Sequence, residues 1–132
     1  MTTNTKTAPK KKITKKVVKK TLASFQPKEH KLKILSPSDF EDTGGWMQIV
    51  GIYSDEFDDA SRSMRDLLSE VPDTDLEDET IKSMAKCVKD WCPDFFGEPF
   101  SEEACYKILS NPKMAWIRVQ LDLAIKDTTN FF

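Results

Sequence analysis

The 132-residue sequence predicts a small α+β domain, a two-stranded antiparallel hairpin packed on about four helices, preceded by a disordered basic arm. Three observations predict it. Two stretches alternate polar with apolar residues at period two, four stretches carry apolar residues at helical spacing behind their own start signals, and the first 20 residues hold eight lysines and no acid. Twelve basic and 22 acidic side chains then remain for the other 112 residues, so a net charge of -2 conceals a basic start and an acidic body.

Residues 1–24 form the arm: rich in Lys and Thr and almost free of large apolar groups, they cannot offset the entropy of ordering by burial. Residues 25–132 form a single small α+β domain. Lys31–Ile34 reads as a half-buried strand and Trp46–Tyr53 as a longer one, with Trp46, Gln48, Val50 and Ile52 sharing a face. The ten residues between them end in Gly44-Gly45, which suits a return turn needing positive φ. Two strands alone are marginal in water, so helices must cover one face.

Ser54 caps the first helix, with Asp55, Glu56, Asp58 and Asp59 at the positive end of its dipole and Phe57, Ala60, Met64, Leu67, Leu68 and Val71 on one stripe. Pro72 stops it. Asp75 starts a second helix whose apolar positions Leu76, Ile81, Met84, Ala85, Val88 and Trp91 carry it to Pro93 and Gly97. Ser101 caps a third, and Asn111-Pro112 restarts the chain into a fourth, running to about Thr128. That last helix has two apolar stripes, Met114, Ile117, Leu121 and Ile125 on one side and Trp116, Val119 and Leu123 on another. One stripe is enough to dock a helix, so the second either lies between layers or faces a partner. The candidate partner-binding residues are therefore Trp116, Val119 and Leu123, with Phe131 and Phe132 at the chain end, while Phe95, Phe96 and Phe100 read as a lid on the core.

Little here points to catalysis. His30 is the single histidine, and no nucleophile elbow, HExxH or phosphate-loop pattern occurs. Asp73, Asp75 and Glu77 imitate the start of a calcium loop, but its sixth position is Asp78 instead of Gly and its twelfth is Met84 instead of Glu. Cys87, Cys92 and Cys105 with one distant histidine do not make a four-ligand zinc set, and they read as buried apolar groups in a reducing compartment. The expectation is a non-enzyme with no metal and no cofactor. No signal-type h-region or long uncharged apolar run occurs, so no membrane is expected.

In the order and spacing of its motifs, residues 30–132 resemble the small tail assembly chaperones of long-tailed bacteriophages. The likeness lies in Leu35-Ser36-Pro37, a Gly-Trp strand, Gly51-Ile52-Tyr53-Ser54-Asp55 before an Arg-containing helix, and Gly97-Glu98-Pro99-Phe100-Ser101. It continues through Asn111-Pro112, Trp116-Ile117-Arg118, Gln120 and Asn130-Phe131. The resemblance implies a non-enzymatic role in virion assembly in the cytoplasm of the bacterial host. It implies the tape-measure protein as partner, with the tail-tube protein as a second candidate, and supplies no catalytic residues. Self-association stays open. The lysine arm departs from the family and supports the alternative of a nucleic-acid-binding or minor virion structural protein, or weak polyanion contact through the arm.

Overall fold

The computed structural model describes residues 19–132; the expectation for the arm falls largely on residues 1–18, outside the described residues. The fold is mixed α and β, with a sheet of three antiparallel strands in the order β1-β2-β3: β1 His30–Leu35, β2 Asp42–Ile49 and β3 Val88–Trp91. Among the described residues five α-helices accompany it, α1 Asp55–Glu70, α2 Leu76–Lys86, α3 Pro93–Phe96, α4 Glu102–Ser110 and α5 Ala115–Lys126.

The expected two-stranded hairpin is thus corrected to three strands, and the reason is a bulge. Ile49 pairs with Val88 and Gln48 with Asp90, so β3 spends one extra residue at Lys89. That residue puts Val88 and Trp91 on the same core-facing side three positions apart, a spacing that in the sequence imitates a helix. The helix begun at Asp75 therefore ends at Lys86, before the expected Trp91.

The Gly44-Gly45 pair is also relocated. The turn is Ser36–Glu41, closed by the Ser36 N–H donating to Glu41 O at 2.8 Å and the Phe40 N–H to Ser36 O at 2.9 Å, with Phe40 itself at φ 60°. Both glycines lie inside β2. A Cβ on Gly45 would sit 2.4 Å from the Phe95 ring, so the glycine is there to let α3 lie against the strand.

Lys33 pairs with Trp46 and Leu32 with Met47. Met47, Ile49 and Ile34 face the core, and Trp46 and Gln48 share the outer face with exposed Lys31, whose Nζ stands 4.5 Å over the Trp46 ring. The strand ends before Val50, so Val50, buried at 7 % exposure, and half-buried Ile52 do not continue that outer face as expected. The free edge of β1 is closed by Gln120 of α5, whose amide accepts from Leu35 N–H and donates to Leu35 O, both at 2.9 Å. One side chain thus stands in for a missing strand residue.

The caps form as read. Ser54 Oγ accepts from Phe57 N–H, the Asp75 carboxylate from Glu77 and Asp78 N–H, Ser101 Oγ from Ala104 N–H, and Asn111 Oδ1 from Lys113 N–H. The last helix differs: Pro112–Met114 is a 3-10 turn, and α5 proper ends at Lys126, short of Thr128. The core is centred on Trp91, which is fully buried, stacks on Phe96 with ring centroids 4.2 Å apart, and donates its indole N–H to Glu98 O at 2.9 Å. Phe95, Phe96 and Phe100 are half-buried against it, the lid that their loop position suggests.

Candidate partner-binding site

Helix α1 is amphipathic, yet of its stripe only Ala60 is buried; Phe57, Met64, Leu67 and Leu68 are half-buried and Val71 is exposed. Beneath it is a cavity of about 390 Å³, walled by Phe57, Met64 and Leu68 of α1, Met84 of α2 and Ile125 of α5. A second hollow of about 520 Å³ adjoins it along the α2–α5 seam and shares Thr80, Met84, Asp122 and Lys126 with the first. Leu76, Val119 and Leu123 line this second part at 54 %, 56 % and 65 % exposure.

The two hollows make one apolar groove. Arg118 lies near Glu77 at one end, and Met84 and Ile125 share the wall at the other, so α2 and α5 run side by side in the same direction. From Arg118 to Lys126 a helix rises about 12 Å, a little over two turns. A groove of that length accepts apolar side chains at i, i+3, i+4 and i+7 of one bound helix. Two methionines in the wall, Met64 and Met84, add unbranched side chains that adapt to different occupants.

Of the five residues nominated from the sequence, the structure brings Val119 and Leu123 together in this groove. Trp116 does not line it. It sits on the first turn of α5, before the level of Glu77 at which α2 and α5 run together, and packs half-buried against the core. Phe131 is a correction: it is 2 % exposed, inside the core, with its ring against Gly51 and edge-on to His30, so it presents no surface. Phe132 is 47 % exposed and meets Tyr53 away from the groove lining. The α2 wall, Leu76 and Met84, was hidden in the sequence because both belong to a stripe that reads as core.

No known family model, curated protein or solved structure matches this chain. Its chemistry therefore rests on its own side chains. Cys87 and Cys105 are buried, and desolvation, with smaller contributions from Glu56 and Glu102 respectively, pushes their thiols up to about 11 and about 12. They stay protonated and unreactive at neutral pH. Among the described residues no group of three or more His, Cys, Asp or Glu could hold a metal ion, and no helix is long and apolar enough to cross a membrane.

The roof of the groove is held electrostatically. Lys89 Nζ of β3 stands 2.6 Å from Glu56 Oε2 at the start of α1, and that hydrogen bond lowers the Glu56 carboxyl and raises the Lys89 ammonium. A lowered carboxyl stabilises the fold above its ordinary range and loses that contribution as pH falls through the depressed value. With both groups about a third exposed, the pair is worth less than about 1 kcal/mol. Acidification to pH 3 is expected to speed hydrogen exchange at the first turns of α1, after correction for intrinsic rates, and Glu56→Gln to abolish that pH step. An unchanged step in Glu56→Gln would exclude this pair as its source.

Away from the groove lining, the Tyr106 hydroxyl of α4 donates to Asp78 of α2, the main cause of the lowered Asp78 carboxyl and the raised Tyr106 phenol. That bond ties α2 to α4 while leaving its groove-facing side open.

Proposed function

We propose that this chain is a non-enzymatic tail assembly chaperone of a long-tailed bacteriophage, which holds apolar helical segments of the tape-measure protein in the host cytoplasm until the tail tube forms around it. The observation that carries the reading is the groove between α1, α2 and α5, with Leu76, Val119 and Leu123 exposed along it. A binding task of this kind needs no covalent step: it needs apolar surface available to a partner and polar surface elsewhere to keep the holder in solution. The motif order that resembles the chaperone family supplies the identity of the partner.

Co-purification of the tape-measure chain with this protein tests the proposal. Wild type is expected to retain it, and the double variant Val119→Asp, Leu123→Asp to weaken binding by about 30-fold or more, the effect of losing a hot-spot contact. Both positions are exposed, so the variant should unfold at the same urea concentration as wild type. Failure of the wild type to bind, or full binding by the variant, removes the proposal.

A further inference from the structure

We infer that the groove selects an amphipathic helix whose apolar face is flanked by a carboxylate, and that Arg65 is the residue that reads it; this rests on the groove being a helix-binding site. Helix α1 is acidic, with Asp55, Glu56, Asp58, Asp59, Asp66 and Glu70 against two arginines. Arg62 is fully engaged, 2.6 Å from Asp58 and 2.9 Å from Asp59. Arg65 is not. The residues one turn away on either side are Ser61, Arg62, Leu68 and Ser69, none with a carboxylate, and among the described residues Arg65 makes no ion pair.

Its side chain lines the apolar cavity together with Met64 and Leu68. On the opposite wall each acid is already matched: Asp122 by Lys126 at 3.2 Å and Glu77 by Arg118 at 3.6 Å. Across both hollows the lining therefore carries three cations and two anions, while residues 21–132 as a whole carry ten more acids than bases. An acidic protein that keeps this apolar groove locally cationic repels acid in general and accepts it at one place.

A guanidinium is suited to that place. It is weakly hydrated, tolerates an apolar wall, and grips a carboxylate through two parallel N–H donors. A helix seated by its apolar residues would bring a flanking Asp or Glu within reach of Arg65, whereas a Lys there would meet like charge.

Two synthetic helical peptides with identical leucines at i, i+3, i+4 and i+7, flanked by Glu in one and by Lys in the other, test this by fluorescence anisotropy on the full chain. Wild type is expected to bind the Glu peptide about tenfold more tightly, the size of one charge-assisted contact. Arg65→Glu is expected to reverse the order, and Arg65→Gln to remove it. The lysine arm acts equally in all three proteins, so differences between them belong to Arg65. Equal affinity of the two peptides for wild type, or a preference that survives Arg65→Glu, overturns the inference while leaving helix binding intact. Binding of neither peptide overturns the groove reading itself, and the selectivity with it.

Discussion

Replacing Trp91 with alanine is expected to lower the unfolding free energy by about 3–5 kcal/mol, the loss typical of deleting a fully buried large aromatic. The residue is at 0 % exposure, stacked on Phe96 and edge-on to Phe100, and its indole N–H is satisfied by Glu98 O. Truncation leaves a cavity and orphans the Glu98 carbonyl at once. It also empties the position opposite Met47, where β3 joins the sheet. Domains of this size hold only about 5–15 kcal/mol in reserve, so the variant should unfold at a much lower urea concentration. A change below about 1 kcal/mol would mean that the sheet does not depend on β3 for its core, contrary to the packing described.

The same residue shows where the sequence is legible and where it misleads. Helix starts are written locally: Ser54, Asp75, Ser101 and Asn111 each place an acceptor over the backbone N–H groups that the first turn leaves unpaired, and each forms as read. β3 is not written locally. Its identity depends on β2, some forty residues earlier in the chain, and its bulge gives Val88 and Trp91 a helical spacing. Gly44 does take the positive φ read for it, 85°, but inside β2, and Gly45 misleads for a related reason. Gly45 answers a ring from Phe95 that approaches only in the folded state, and no local turn pattern encodes that contact.

The candidate site divides along the same line. Val119 and Leu123 could be singled out because one helix carried more apolar surface than a small core requires. Leu76 and Arg65 could not, since a groove is made by neighbouring helices and neither wall is distinctive alone. Arg65 has meaning only as an exception in an otherwise acidic helix, and that exception becomes visible once its neighbours and the cavity beside it are in place. Trp116 looked like the strongest anchor by size, but its place on the first turn of α5 sets it before the groove and against the core.

The chain end separates a core role from a contact role most sharply. Phe131→Ala is expected to cost about 3 kcal/mol, toward the lower end for a buried phenylalanine because a terminus can relax around the gap. The ring lies so close to Gly51 that a Cβ there would be 2.5 Å away, and the Lys28 N–H donates to Phe131 O at 2.8 Å. Phe131 thus pins the final turn to both the start of β1 and the link from β2 to α1. Phe132→Ala, at a half-exposed ring touching only the edge of Tyr53 among the aromatics, is expected to cost less than about 1 kcal/mol. Urea unfolding of the two variants distinguishes them. Were Phe131 instead a partner contact, its removal would weaken co-purification of the partner and leave the unfolding midpoint in place. The burial of the ring demands the opposite order: stability falls first, and binding falls only as far as the folded population does.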